Sequence, residues 1–323
     1  MKQQTTILVT GVGAIIGYGI LNVLRKNIPG IRLIGTDIYP DAVGQHFCDK
    51  FIQAYRFDSP DFLDFFERII MENDVDLVFF GTEQEMYKIV DSEERLANIY
   101  DKFVLNTPDI IRYSLDKYST FQFLSSHGLP AIPSRIDGNY AEIAKEFSSP
   151  FLLKLRHSYA SKGMAVIENE EDFVYWRKKA GDQFMVQKLI GDKQHEYTAA
   201  VFGLGDGTSL RPFILRRQLS GEGATAKAEV VESPEMEEQI RKLVALLKPK
   251  GPTNFQFRKH EGIYYLLEFN PRISSATSIR AAFNYKEAVM CLDYYLYKQI
   301  PTIEPLRKGH AVRYISDWID YVS

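Results

Sequence analysis

Gly251-Pro252-Thr253-Asn254-Phe255-Gln256-Phe257-Arg258 and then Tyr264-Tyr265-Leu266-Leu267-Glu268-Phe269-Asn270-Pro271-Arg272 form the stretch that decides how this chain is read. The two segments predict neighbouring strands of a hairpin that turns near Glu261-Gly262. Side chains alternate along a strand, so Glu268 and Asn270 project from one face. A turn of about three residues pairs even positions with even ones and brings Gln256 to that face. One carboxylate and two amide oxygens then converge. Such a hard oxygen set suits Mg²⁺, which keeps water and phosphate oxygens in its remaining positions. Arg272 follows Pro271, which ends the ladder, and its guanidinium fork matches phosphate oxygens. The plain alternative is a solvated hairpin with an incidental polar face, against which the Asn-Pro-Arg terminus argues.

Outward from the hairpin, residues 191–323 are strand-rich. Strands are expected at 197–202, 212–218, 227–231, 254–258 and 264–269, with flanking helices at Pro234–Leu247 and 286–297. Successive strands without intervening helices indicate antiparallel pairing and an α+β unit. In residues 111–190, Asp116-Lys117 opens a helix that stops at Gly128. Strands follow at Phe151–Leu155, Met164–Ile167 and 184–189, with a helix at Glu170–Ala180 capped by Asn169 and stopped by Gly181. Residues 1–110 alternate strands (7–10, 32–36, 76–80) with helices (15–26, 61–71, 84–99), a pattern of βαβ units on a parallel sheet.

The 323 residues are 45% hydrophobic and 25% charged, an ordinary globular balance with length for two or three packed units. A net charge of −3 provides no basic field for nucleic acid, and no apolar run reaches the roughly 18–20 residues that span a bilayer. MKQQTTILVTGVG lacks the pattern of a signal peptide, and Cys48 and Cys291 lie far apart, as reduced thiols do. The expectation is a cytoplasmic protein without membrane or nucleic-acid partners.

Thr10-Gly11-Val12-Gly13-Ala14-Ile15-Ile16-Gly17, with Asp37 ending the next strand, comes close to a dinucleotide fingerprint, but its third glycine falls one residue late. An NAD(P)-dependent oxidoreductase or epimerase is therefore a competing reading. Its Tyr-x-x-x-Lys pair occurs at Tyr113/Lys117 and again at Tyr294/Lys298, which 19 tyrosines produce by chance.

Gln256…Glu268-x-Asn270-Pro271-Arg272 resembles the metal-binding signature of the ATP-grasp superfamily. Gln at its first position is most similar to the large chain of carbamoyl phosphate synthase. The resemblance implies an α/β N-terminal Rossmann-like (pre-ATP-grasp) domain over 1–110. A two-lobed α+β ATP-grasp fold with an antiparallel sheet would follow, its small lobe at 111–190 and its large C-terminal lobe, with the metal site, at 191–323. It implies ATP and Mg²⁺, for which Mn²⁺ can substitute, with Gln256, Glu268 and Asn270 on the metal. Lys117 and Lys154 resemble the family's phosphate-binding basic residues; Lys154, inside an apolar strand, needs an anionic partner in any case. The segment 156–163 resembles the phosphate lid, with fewer glycines than usual and Lys162 as its donor.

The segment 185–190 resembles the adenine hinge, with Gln187 contributing its side chain and Lys188, Leu189 and Ile190 the backbone. Glu196 matches the ribose-binding acid, and one of Arg216 and Arg217 is expected to face the cleft. Glu83 is a candidate for binding an amine, and Ser274, Ser275 and Arg280 for binding a carboxylate. The implied activity is an ATP- and Mg²⁺-dependent ligase that joins a small-molecule carboxylate to an amine or ammonia through an acyl phosphate. It forms a C–N bond with release of ADP and phosphate, and Arg272, Lys154 and Asn270 are its catalytic residues. A homodimer is compatible with the family. A non-catalytic ATP-binding regulator is the third reading, although none of the motif's metal or phosphate residues is missing.

Overall fold

A computed structural model describes residues 4–157, 163–221 and 223–321, which build three sheets. The first contains β1 (Thr6–Thr10), β2 (Arg32–Asp37), β3 (Lys50–Gln53) and β4 (Leu77–Phe79), all parallel, in the order β3-β2-β1-β4. Both faces are covered, which is why these strands read as continuous apolar runs. Ile7, Val9 and Leu33 pack with the helix Ile15–Asn27, while Leu8, Ile34 and Val78 pack with the helix Phe62–Glu72. The helix expected over 84–99 ends at Val90, and turns carry the chain on. Leu96 and Ile99 still reach the core, so the apolar spacing was a burial signal without being a helical one.

The glycine-rich turn has a packing explanation. A Cβ on Gly17 would stand 2.3 Å from the Gly11 carbonyl oxygen, and one on Gly81 would stand 2.1 Å from that of Thr10. Asp37 is spent inside the turn, accepting from the backbone N–H of Gly13 at 2.8 Å and of Tyr39 at 3.0 Å.

The second sheet contains β5 (Ser134–Arg135), β6 (Phe151–Leu155), β7 (Met164–Ile167) and β8 (Phe184–Lys188), antiparallel in the order β5-β8-β6-β7. Helices Tyr140–Phe147 and Glu170–Ala180 cover it through a core of its own around Ile143, Phe151, Leu153 and Phe173. Asn169 caps the second helix by accepting from the Asp172 N–H, and Gly181 ends it at φ 59°, as the sequence indicates.

The third sheet contains β9 (Glu196–Leu204), β10 (Phe213–Leu219), β11 (Thr225–Val230), β12 (Lys250–His260), β13 (Ile263–Asn270) and β14 (His310–Val312). It is antiparallel, in the order β13-β12-β9-β10-β11-β14. The first and third sheets share both of their apolar clusters: Leu8 and Phe66 lie with Phe255 and Phe257, and Ile7 and Val9 lie with Phe202 and Phe213. The expected boundary near 110 thus separates sheets but not cores. Ile110, Ile111 and Leu124, from helices Pro108–Leu115 and Lys117–Ser126, also join the shared core and not the small lobe.

The hairpin is correct in outcome but not in its expected turn. His260 pairs with Ile263 across Glu261-Gly262, whose φ values of 48° and 82° suit a two-residue turn. Such a turn pairs even positions with odd ones and would set Gln256 opposite Leu267. A bulge intervenes: Phe257 pairs with Leu266 while Gln256 pairs with Glu268. The one surplus residue returns the acid to Gln256, and bulges recur beside functional sites for this reason.

Candidate active site

A cleft of about 540 Å³ opens between the carboxyl edge of the first sheet and the β12–β13 hairpin of the third. One wall is formed by Ile15, Ile16 and the segment 81–84, at the carboxyl ends of β1 and β4, where open α/β sheets bind ligands. Opposite stand Gln256, Glu268, Asn270 and Arg272, with Lys117 at the side. The hairpin motif therefore lies on one face and opens into the cleft.

Gln256 Nε2 donates to Glu268 Oε1 at 2.6 Å, and Asn270 Nδ2 lies 3.4 Å from the same oxygen. Arg217 Nη2 donates to Gln256 Oε1. A guanidinium only donates, so the Gln256 oxygen faces Arg217 and its NH₂ faces the acid. In this arrangement Gln256 braces Glu268, and its own oxygen accepts from Arg217. Glu268 and Asn270 remain, and one carboxylate with one amide oxygen fits Mg²⁺, whose other positions go to water and phosphates. Among the described residues no group of three His, Cys, Asp or Glu forms an all-protein metal cage.

Lys154 (β6) and Lys117 converge on Glu268 from different elements. Burial pushes the Lys154 amine down to about 8; Glu268 opposes that fall, and the charges of Lys117 and Arg258 add to it. Burial also lowers Lys117, against the pull of Glu268, Glu83 and Asp116. Among the described residues the Lys154 side chain makes no hydrogen bond or ion pair, its backbone being paired within the sheet.

Arg272 Nη2 pairs with Glu83 Oε1 at 2.5 Å, and its Nη1 donates to the Ile273 carbonyl at 3.1 Å. Glu83, expected as an amine ligand, is thus the counterion of the arginine expected on phosphate. Arg280 does not reach the cleft: it is fully buried and ion-paired to Glu287, so its expected role as a carboxylate ligand is corrected. Ser274 and Ser275 do line the cleft.

The nucleoside-binding candidates lie outside these walls. Glu196 is not an open acid, because Arg217 (2.9 Å) and Arg258 (2.7 Å) occupy its two oxygens. Gln187 is buried and donates to Ser134 Oγ at 3.0 Å, leaving its carbonyl to accept. Lys188 spends its backbone N–H on the Pro133 carbonyl. Leu189 is half-buried and Ile190 buried just beyond β8. Lys162 lies outside the described residues. Of the two adjacent arginines, Arg217 faces inward, while Arg216 is exposed and pairs with Glu229. Sequence reasoning missed Asn254 and Arg258, although the period of two that selects Gln256 selects them as well.

Two antiparallel sheets with their covering helices, beside a parallel sheet, give a two-lobed α+β fold behind an α/β unit, with an acid, amides and cations along its cleft. Residues 182–318 match the family described as ATP-grasp in the biosynthetic pathway with Ter operon. The chain is 25% identical over 241 residues to the carbamoyl phosphate synthase large chain, C-terminal section, of Aquifex aeolicus, covering 68% of this chain. It spans 44% of that relative's length. A solved biotin carboxylase–βγ-ATP complex from Campylobacter jejuni superposes with a TM-score of 0.74 at 18% identity, over 95% of this chain and 74% of that one. The biotin carboxylase domain dimer of the Hydrogenobacter thermophilus 2-oxoglutarate carboxylase, solved with MgADP, ADP and bicarbonate, superposes with a TM-score of 0.72 at 16% identity, over 95% and 73%. The family match is confined to residues 182–318, while the likeness to the two solved structures is one of fold over 95% of the chain.

Proposed function

We propose that this chain is an ATP- and Mg²⁺-dependent ligase that joins a small-molecule carboxylate to an amine or ammonia through an acyl phosphate. The observation that supports it most is that Glu268, Asn270, Arg272 and Lys117 line one cleft, with the charge of Glu268 acting on Lys117 and on the buried Lys154. Glu268 and Asn270 would hold the metal, which when bound neutralises charge on the phosphates. Lys117, Lys154 and Arg272 stabilise the oxygens of the γ-phosphoryl group as it passes to the acceptor carboxylate, with ADP leaving. The amine then attacks the acyl carbon, the C–O bond to phosphate breaks, and the amine gives up a proton. The nicotinamide reading loses its support, since packing accounts for the glycines and Asp37 is committed to the turn.

The test is ADP release by the purified chain with ATP and Mg²⁺, screened over carboxylic acids and amino acids, with hydroxylamine trapping the acyl phosphate. ATP with Mg²⁺ is expected to raise the melting temperature, and NAD(P) to leave it unchanged. Stabilisation by NAD(P) in place of ATP would overturn the proposal.

A second expectation concerns pH. Lys154 loses its proton as pH rises through about 8, and with it a positive charge for phosphate. Calorimetric affinity for ATP with Mg²⁺ is expected to weaken between pH 7 and 9. Lys154→Arg keeps its charge throughout and should flatten that dependence. An equal pH slope in both proteins would count against the role of Lys154.

A further inference from the structure

Asn254 is only 1% exposed, yet it lines the cleft opposite Asn270. Its Oδ1 accepts two hydrogen bonds, from Thr198 Oγ1 at 2.6 Å and from Arg280 Nη2 at 2.6 Å. Because a guanidinium cannot accept, the atom facing Arg280 is the oxygen, and the amide cannot turn over without losing both bonds. The NH₂ is thereby held away from Arg280, and among the described residues it has no protein partner. Arg280 is itself immobilised. Its Nη1 reaches both Glu287 oxygens, at 3.3 and 3.1 Å, its Nη2 also donates to Thr198 Oγ1 at 2.9 Å, and both charged side chains are buried. A buried ion pair that leaves one guanidinium nitrogen to orient a neighbouring amide has a use beyond stability, since such pairs are weak stabilisers in themselves.

The register shows where the donor stands. The Gln256–Glu268 pair and the Asn254–Asn270 pair are successive same-face rows, about 6.6 Å apart along the strand. With Lys117 and Lys154 gathered on Glu268, the phosphates belong to the first row. The second row lies within the same cleft, whose far wall is the carboxyl edge of the first sheet, the ligand side of such a sheet.

Resting on the ligase reading, we propose that Asn254 contacts substrate, donating its NH₂ to oxygens at the junction of the terminal phosphoryl group and the acceptor carboxylate. Arg280 is the positioning residue that fixes this donor's direction. Neither residue is called on by the metal and phosphate machinery described above.

The experiment uses the full chain, with Mg²⁺-dependent ADP release giving kcat and calorimetry giving the affinity for ADP with Mg²⁺. Asn254→Asp keeps the oxygen that Arg280 holds but replaces the donor with a charged acceptor. It is expected to lower kcat about 10²-fold while ADP affinity stays within about threefold. Thr198→Val removes one of the two restraints and should move kcat the same way by less. Arg280→Met combined with Glu287→Met leaves no unpaired buried charge; it should lose kcat with ADP affinity kept, and Arg280→Lys, which retains a donor, should recover part of the loss. A wild-type kcat in Asn254→Asp overturns the inference. So does a loss of ADP affinity as large as the loss of kcat, which would place Asn254 on the nucleotide. A wild-type chain that neither binds nor turns over ATP overturns the ligase reading and this inference with it, whereas an active wild type beside an unaffected Asn254→Asp overturns this inference alone.

Discussion

Glu268→Gln is expected to leave a folded protein whose ADP release falls on the order of 10²–10³-fold. The substitution keeps the shape and an oxygen that can still accept from Gln256 Nε2, so the hairpin has no reason to open. It removes the only charge in the pair of residues that would hold the metal. It also removes the acid whose field supports the charged amines of Lys154 and Lys117, and Lys154, already pushed down to about 8 by burial, gives up its proton more readily. One change thus weakens the metal site and the phosphate cations together, which is why its effect should be among the largest. Turnover within a few-fold of wild type, at an unchanged melting temperature, would remove Glu268 from the centre of the chemistry.

Arg272→Lys should come close to it. Lysine keeps the charge, but loses the planar fork that can hold two oxygens at once, so the change is not conservative at such a position. The guanidinium rests on Glu83, a residue 189 positions away in sequence, and phosphate oxygens would have to take it over from that acid. The expectation is a drop in kcat on the order of 10²-fold, with the affinity for ADP and Mg²⁺ little changed. Steady-state kinetics beside calorimetry separates the two quantities. A variant with unaltered kcat would show that Arg272 serves only to anchor Glu83.

Most of the architecture was legible because its signals are local. Asn169 and Gly181 bracket a helix by capping chemistry that acts within one turn, and the apolar runs of β1, β2 and β4 record burial on both faces. The candidate site was legible as far as period-two alternation extends. Its limits are those of long-range pairing. The bulge that sets Glu268 opposite Gln256 is a tertiary feature, and the correct face was reached from an incorrect turn length. Charge partners were less visible still. Nothing near Glu83 in sequence announces Arg272, and nothing near Glu196 announces Arg217, so residues expected to meet ligands proved to be holding one another. Arg280 reads as an accessible base after a motif, and only the packing of Glu287 and Asn254 around it shows otherwise.

The sharing of apolar clusters decides which part of the molecule can move. The first and third sheets form one body, because separating them would expose Leu8 and Phe66 along with Phe255 and Phe257. The second sheet closes its own interior and hangs from the rest by the segments on either side of residues 134–188. A rigid-body swing of that lobe would leave this cluster intact, so any opening and closing of the molecule falls to it. The same sharing means that residues 1–110, cut away from the remainder, would expose the apolar faces that Phe202, Phe213, Phe255 and Phe257 cover.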